Sequence, residues 1–140
     1  MKKLAIKTEV SFDSAHRLTF HEGKCKNLHG HTWRVIIELA QDLAKAGDML
    51  VDFGLLKKAI QDKFDHKVIA FSSDVDLIAF CESMGFDLIV VDFEPTAENL
   101  TKYIANMLVG MCESMYDCIL SDLVVEVFET PKSSAKITYF

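Results

Sequence analysis

Residues 6–16 read IKTEVSFDSAH, and the alternation within this stretch decides the fold. One side of the stretch is mostly apolar and the other is polar, a period of two residues that predicts a half-buried β-strand. The inner side comprises Ile6, Thr8, Val10 and Phe12, and the outer side comprises Lys7, Glu9, Ser11 and Asp13. The inner side continues through Ser14 to His16, which places a histidine where the strand ends.

A second alternating stretch, HGHTWRVIIEL at residues 29–39, follows a loop at residues 18–28. One face carries His29, His31, Trp33, Val35, Ile37 and Leu39, and the other carries Gly30, Thr32, Arg34 and Glu38. Two alternating stretches that flank one loop predict an antiparallel hairpin, here a wide one.

The rest of the chain mixes helical and strand patterns. In chain order we expect a helix from Asp52 to about residues 64–66, a short helix at residues 74–85 closed by Gly85, a strand at residues 86–93, a helix capped by Thr96, and strands at residues 123–129 and 134–140. The buried stripes are expected to be Phe53, Leu56, Ile60 and Phe64 in the first helix, and Leu100, Ile104, Met107, Leu108 and Met111 in the last. The order β-β-α-(α/β)-α-β-β is of the α+β class.

The length, charge and composition of the chain exclude several classes of protein. The chain of 140 residues is typical of one domain, and its net charge of −6 argues against a nucleic-acid-binding protein. No apolar run approaches the length of a membrane helix. The first residues, MKKLAIKTEVSF, alternate like a strand and lack the continuous apolar stretch of a signal peptide. We therefore expect a cytoplasmic protein that binds neither nucleic acid nor membrane.

The histidines carry the clearest chemical signal. His29 and His31 are two residues apart on a strand and point to the same side, and His16 faces inward on the preceding strand. Three imidazoles could hold one zinc ion and leave a fourth position open, as catalytic zinc sites do. Cys25 could instead be a fourth ligand that closes a structural site. His21, in the loop, is expected to be exposed.

Three other features suggest reactive groups. Cys25 lies between Lys24 and Lys26, and nearby positive charge favours the thiolate. Cys81, Cys112 and Cys118 are instead expected to be small buried apolar side chains. The adjacent pair Asp65 and His66 could fix an imidazole tautomer. Glu129 ends an inward-facing run, so it either binds a cationic or hydrogen-bond-donating ligand or marks a frayed strand end.

Six motifs together resemble a known family. FDSAHRL, CKNLHGHTWRV, DFGLLKKAI, FDHKVI, PTAENLTKYI and FET, in this order over most of the chain, resemble the 6-pyruvoyltetrahydropterin synthase family. The Cys-x-x-x-His-Gly-His spacing is similar to that of the bacterial 6-carboxytetrahydropterin synthase branch, which serves the queuosine pathway. The biopterin branch has a longer spacing, and the folate branch has a glutamate where this chain has Leu28.

The resemblance implies the T-fold (tunnelling fold), a four-stranded antiparallel sheet with two helices on one face. Subunits of the family associate into barrels, commonly as hexamers. We expect one T-fold domain over residues 1–140, with an extra segment at about residues 70–94. The last strand, residues 135–140, has no covering element after it and could pair with a neighbouring subunit. We expect an oligomer larger than a dimer, with Cys25 and Glu129 of one active site contributed by different chains.

The resemblance also implies an activity. The substrate would be 7,8-dihydroneopterin triphosphate, and the products 6-carboxy-5,6,7,8-tetrahydropterin, acetaldehyde and triphosphate. By this resemblance the site comprises zinc on His16, His29 and His31, the base Cys25, the relay Asp65 and His66, and the pterin-binding residues Glu129 and Thr96. The candidates for holding the triphosphate, by position alone, are Arg17, Lys24, Lys26, Lys132 and Lys136. Two alternatives are 6-pyruvoyltetrahydropterin synthesis and a non-catalytic zinc- or pterin-binding role.

Overall fold

The computed structural model describes residues 2–139. The fold of the chain is centred on one mixed β-sheet. The strands are β1 (Lys3–His16), β2 (His29–Asp42), β3 (Lys67–Phe71), β4 (Leu88–Val91), β5 (Asp122–Thr130) and β6 (Ser133–Tyr139). The helices are α1 (Phe53–Phe64), α2 (Val75–Met84) and α3 (Ala97–Tyr116), with a short 3-10 helix at Lys24–Lys26. The strand order is β4-β3-β1-β2-β5-β6. Met1 and Phe140 lie outside the described residues, so the predicted last strand is seen only to Tyr139.

The predicted hairpin is confirmed. β1 and β2 pair antiparallel without interruption from Lys3 opposite Asp42 to His16 opposite His29. Side chains of one face must alternate with those of the other along each strand, so the two apolar sides lie together against the core. The register therefore brings the histidines of the two strands to the same end of the same face.

α1 and α3 cover this face, as the T-fold requires. The buried residues of α1 are Leu56, Ile60 and Phe64, and those of α3 include Leu100, Ile104, Ala105, Leu108 and Cys112. They belong to one core cluster with Phe12, Trp33 and Val125 of the sheet. Met107 and Met111, expected in the buried stripe of α3, are only partly buried, because Ala105 and Cys112 lie closer to the sheet-facing side.

The sheet has two more strands than the four expected. The four strands β1, β2, β5 and β6 are antiparallel, but β3 pairs parallel to β1 and β4 pairs parallel to β3. The sequence pattern predicts α2 and β4 but does not predict β3. Its five residues, KVIAF, are a short apolar run without clear alternation. Such a run is typical of a parallel strand that is covered on both faces.

α2 packs on the opposite face of the sheet from α1 and α3. Leu77 and Cys81 of α2 form a second cluster with Ala70 of β3, whereas the neighbouring Ile69 points into the main core. This alternation along β3 puts the two clusters on different sides. The described chain therefore has three layers where β3, α2 and β4 join the sheet.

The predicted helix boundaries are confirmed by their caps. The Asp52 side chain accepts a hydrogen bond from Gly54 N–H at the start of α1, and the Thr96 hydroxyl accepts one from Asn99 N–H at the start of α3. Gly85 ends α2 in the left-handed conformation (φ 70°), which glycine adopts without steric cost. None of the helices within residues 2–139 combines the length and apolarity that a membrane crossing requires.

Candidate metal centre and active site

Three imidazoles meet at the end of the β1–β2 hairpin. His16 is the last residue of β1, and His29 and His31 begin β2. Their ring centroids are 4.7 Å apart for His16 and His29, 4.8 Å for His29 and His31, and 5.2 Å for His16 and His31. The register of the hairpin thus brings the three histidines together, as predicted.

Backbone carbonyls orient two of these rings. His16 Nδ1 lies 2.7 Å from the carbonyl oxygen of Pro95, and His29 Nδ1 lies 2.6 Å from that of Asn27. A carbonyl only accepts hydrogen bonds, so each Nδ1 carries the proton and each Nε2 has a free lone pair. Such outer contacts hold metal-binding histidines in the tautomer that ligates through Nε2. No sequence pattern predicts this role for Pro95 and Asn27.

Two imidazole nitrogens of the cluster have no hydrogen-bond partner among the described residues. Nε2 of His16 and Nε2 of His31 are buried and form no hydrogen bond with any residue in the 2–139 range. A buried polar atom without a partner is costly, and an ion bound between the nitrogens would remove that cost. Trp33, which is fully buried, packs its ring edge-on against both imidazoles and closes the floor of the site.

Burial favours the neutral form of two of the imidazoles, those of His16 and His31. Burial lowers the pKa of His16 to about 4, an effect that the Pro95 carbonyl opposes and the neighbouring His29 and His31 reinforce. Burial also lowers the pKa of His31, against the opposing effect of the Glu129 carboxylate. Neutral imidazole is the form that binds a metal ion. The fit of these residues to a divalent metal thus rests on geometry, tautomer and charge together.

Glu129 joins the histidine cluster. Its Oε1 lies 3.1 Å from His31 Nε2, and one potential ligand atom from each of His16, His29, His31 and Glu129 lies within 4.8 Å of the others. Glu129 is not a frayed strand end, because it belongs to β5. The sequence analysis proposed this residue as a ligand-binding carboxylate but missed its contact with the histidines. Among the described residues it is Glu129, and not Cys25, that completes the four-residue cluster.

Cys25 lies in the loop between the two strands of the hairpin. It is the middle residue of the short 3-10 helix and is partly exposed, and its carbonyl accepts a hydrogen bond from Leu18 N–H at 2.9 Å. Cys81, Cys112 and Cys118 are buried free cysteines, as predicted. Burial raises the pKa of the Cys112 thiol to about 11. Cys25 is therefore the most accessible thiol of the four.

Asp65 and His66 form a hydrogen-bonded pair apart from the cluster. His66 Nδ1 lies 2.8 Å from Asp65 Oδ2, and His66 has a left-handed backbone (φ 58°). Both Asp65 and His66 are held by backbone hydrogen bonds with Asp13. Asp13 precedes His16 by three residues, a distance of about 10 Å along a strand. An open cleft of about 660 Å³ has both His66 and His31 in its lining.

The contacts of Asp65 and His66 shift the pKa of both side chains. The backbone N–H of Asp13 and the His66 ring lower the pKa of Asp65, and the Asp65 carboxylate in turn raises the pKa of His66. An imidazolium beside a carboxylate can store a proton and release it. The arrangement therefore suits a relay, although neither side chain touches the histidine cluster.

Of the remaining residues singled out from the sequence, two contact other parts of the chain and the others are exposed. The guanidinium of Arg17 is bound by both oxygens of Asp74, whose side chain is only 4% exposed, so Arg17 is already paired. Thr96 lies beside Pro95, and its oxygen caps α3. His21 is exposed, as predicted, and the candidate lysines Lys24, Lys26, Lys132 and Lys136 are exposed as well.

Comparison with known proteins gives consistent matches. The family model described as 6-pyruvoyl tetrahydropterin synthase matches residues 5–139. The chain is similar to a 6-carboxy-5,6,7,8-tetrahydropterin synthase of Haemophilus influenzae, with 35% identity over 91% of this chain and 94% of the relative. It is also similar to a protein of the same name from Rickettsia felis, with 29% identity over 91% of this chain and 95% of the relative.

Solved structures share the fold. An uncharacterized protein from Wolinella succinogenes superposes with a TM-score of 0.76 at 24% identity, over 98% of both chains. A 6-pyruvoyltetrahydropterin synthase from Plasmodium vivax superposes with a TM-score of 0.72 at 19% identity, over 99% of both chains. At these identities the likeness is one of fold.

Proposed function

Because the chain belongs to the 6-pyruvoyl tetrahydropterin synthase family, we propose that it is a zinc-dependent 6-carboxy-5,6,7,8-tetrahydropterin synthase of queuosine biosynthesis. This lyase would convert 7,8-dihydroneopterin triphosphate to 6-carboxytetrahydropterin, acetaldehyde and triphosphate. The observation that carries the proposal is the convergence of His16, His29 and His31, each of which places one potential ligand nitrogen within 4.8 Å of those of the others. The names of the curated relatives favour this branch of the family.

Zinc is the metal that we propose for this centre. Imidazole nitrogens suit zinc, and three histidines are a common protein ligand set of catalytic zinc. The carbonyls of Pro95 and Asn27 hold two rings in the ligating tautomer, so the protein preorganises the site. A zinc ion bound there would act as a Lewis acid on a substrate hydroxyl.

Proton transfer falls to Cys25, Asp65 and His66. We propose that Cys25, as a thiolate, removes a proton from the substrate side chain. The Asp65–His66 pair would accept and return protons as the relay. Because Asp65 and His66 are held beside Asp13 and do not contact the histidine cluster, substrate or a second copy of the chain must connect them to it.

Pterin recognition is assigned to Glu129 and Thr96. A pterin ring presents amino and ring N–H groups side by side, and a carboxylate can accept from both in a bidentate arrangement. Glu129 also lines an open cleft of about 420 Å³ that shares His31 with the cleft beside His66. The Thr96 hydroxyl accepts the capping bond from Asn99, so its hydrogen remains available for donation to a ligand.

The reaction itself is the decisive test. The zinc-loaded protein is incubated with 7,8-dihydroneopterin triphosphate, and the products are identified by mass. We expect acetaldehyde and 6-carboxytetrahydropterin from the wild type and from the control variant Glu126→Gln, whose carboxylate binds Ser134 instead of the site. A 6-pyruvoyl product would establish the alternative activity within the family. No conversion by a folded, zinc-loaded protein would contradict the proposal and favour a non-catalytic role.

A further inference from the structure

The loop that carries Cys25 has little packing to hold it. Within residues 18–28, which lie between β1 and β2, only Leu18 and Cys25 are even partly buried. Phe20, the aromatic residue of this loop, is 63% exposed. A segment with few buried apolar contacts is easily displaced unless other interactions fix it. The position of Cys25 therefore depends on the hydrogen bonds of the loop.

Hydrogen bonds within the loop make it one compact unit. The N–H of Leu18 donates to the carbonyl oxygen of Cys25 at 2.9 Å, which brings the start of the loop to the thiol-bearing residue. The N–H of Gly23 donates to His21 Nδ1 at 2.9 Å. The His21 ring packs so closely there that a Cβ at Gly23 would lie 2.7 Å from its Cε1. A displacement of the start of the loop therefore displaces Cys25 as well.

One carboxylate, that of Glu94, joins this unit to the rest of the protein. Its Oε2 accepts a hydrogen bond from Thr19 N–H at 3.1 Å, and its Oε1 accepts one from the Thr19 hydroxyl. Among residues 2–139, no other hydrogen bond connects residues 18–26 with a residue outside the loop. Glu94 is itself half-buried, next to the buried Pro95. The contact between Glu94 and Thr19 thus sets the place of the loop.

The segment that contains Glu94 also contacts the histidine cluster. The carbonyl oxygen of Glu94 accepts hydrogen bonds from Asn99 Nδ2 at 3.0 Å and from Thr96 N–H at 2.8 Å, which fix the backbone just before α3. The next carbonyl, that of Pro95, is the one that lies 2.7 Å from His16 Nδ1. Two adjacent residues of one fixed segment therefore hold a metal-binding imidazole and the loop of Cys25.

We propose that Glu94 is a positioning residue that holds Cys25 in a fixed place relative to the metal-binding histidines, through its two hydrogen bonds to Thr19. The inference rests on the proposed function, in which Cys25 removes a proton from the substrate. Glu94 transfers no proton and acts only through the loop. A reacting group that is misplaced by about 1 Å can lose about a hundredfold in rate, so the contact is expected to affect kcat.

The first measurement needs no substrate. A chromogenic disulfide reagent modifies Cys25 in the zinc-loaded protein, and its rate is compared for wild type, Glu94→Ala, Thr19→Val and Thr19→Ser, all checked for folding by circular dichroism. We expect Glu94→Ala to react about threefold faster or more, because the released loop exposes the thiol. Thr19→Val keeps the backbone donor and should show a smaller increase. Thr19→Ser keeps both donors and should match wild type, as should the control Glu82→Ala, at an exposed glutamate of α2.

The second measurement is of turnover and bound metal. Glu94→Ala should lower kcat by about tenfold to a hundredfold and leave KM unchanged, because the thiol is misplaced while the substrate still binds. Its zinc content should equal that of wild type, because the Pro95 carbonyl still holds His16. Glu94 and Thr19 act through one contact, so the double variant Glu94→Ala/Thr19→Val should lose no more activity than Glu94→Ala alone.

The outcomes that contradict the inference are distinct from failure of the proposed function. A folded Glu94→Ala protein with wild-type thiol reactivity and kcat would overturn the inference, and so would additive losses in the double variant. Loss of zinc from Glu94→Ala would also overturn it, because the carboxylate would then support the metal site and not the loop. If Glu94→Ala does not fold, Thr19→Val decides. A wild type that forms no 6-carboxytetrahydropterin would contradict the proposed function, and the thiol measurement would then decide the role of Glu94 by itself.

Discussion

At the scale of single residues, substitutions can distinguish the proposed zinc ligands from the proposed base. His29 supplies a ring held by Asn27, whereas Cys25 lies outside the four-residue cluster. We expect His29→Ala to lose most of its bound zinc, because the two remaining imidazoles bind a metal ion less tightly than three. Cys25→Ala should keep its zinc. Metal analysis of the two purified variants checks this, and equal loss in both would make Cys25 a ligand.

The proposed role of Cys25 leads to a prediction about turnover. Cys25→Ala should fold and bind pterin normally, while turnover falls by about two to four orders of magnitude, as for loss of a positioned proton-transfer group. A thiol reagent should modify one cysteine of the native protein rapidly and all four only after denaturation, because Cys81, Cys112 and Cys118 are buried. Near-normal turnover of Cys25→Ala would remove it from the mechanism.

The Asp65–His66 pair predicts a shifted titration. The Asp65 carboxylate raises the pKa of His66 above the ordinary value of about 6.5. A raised pKa of a histidine stabilises the folded protein below the unfolded value, and that contribution is lost as the pH rises through the folded pKa. In an NMR titration, Asp65→Asn should lower the pKa of His66, and the control Asp62→Asn should not. An unchanged titration in Asp65→Asn would disprove the pairing.

At the scale of elements, Asp74 connects the start of α2 to the end of β1. Its carboxylate binds Arg17, which follows β1, and accepts from Leu77 N–H at the start of α2. Asp74→Ala should lower the free energy of unfolding by about 2–3 kcal/mol, because it removes a helix cap and leaves a partly buried guanidinium without its partner. Urea unfolding at fixed protein concentration measures the loss. The matched change Asp76→Ala, at an exposed position in the first turn of α2, should cost far less.

At the scale of the whole molecule, the sheet leaves edges that invite association. β4 and β6 are its outer strands, and β1 pairs with β3 only through residues 14–16, so much of the outer edge of β1 is free of β3. Unpaired strand edges are sites of association, and closure of several sheets into a barrel removes them. We therefore predict a homo-oligomer larger than a dimer, with a hexamer as the expected state, and light scattering that reports a monomer would refute it.

Shared active sites can be tested by mixing inactive variants. Cys25→Ala is denatured and refolded together with Glu129→Ala, and separately together with His66→Ala. The structure places Glu129 with the metal-binding histidines of its own chain, whereas His66 lies apart from them. Activity regained in either mixture shows that the two mutated groups of one site belong to different chains. Mixtures that stay inactive while wild type refolds normally would place the whole site within one chain.

The sequence by itself determined the hairpin and the convergence of the three histidines. Alternation along residues 6–16 and 29–39 sets which side chains face inward, and the two strands are neighbours in the chain, so His16, His29 and His31 could be brought together by local rules alone. The signals that begin and end the helices are equally local, namely the caps Asp52 and Thr96 and the terminating Gly85. The family motifs are local as well. Each of these signals depends on residues a few positions apart.

Only the tertiary structure decided the features that depend on distant pairing. Glu129 reaches His31 because β5 lies beside β2 and a register shift follows Phe128, and neither fact is encoded in local periodicity. Likewise β3 is a strand because both its faces are covered, and the Arg17 guanidinium is paired because Asp74 packs against it. The free energy of these contacts comes from elements far apart in sequence, so it exists only once the chain has folded.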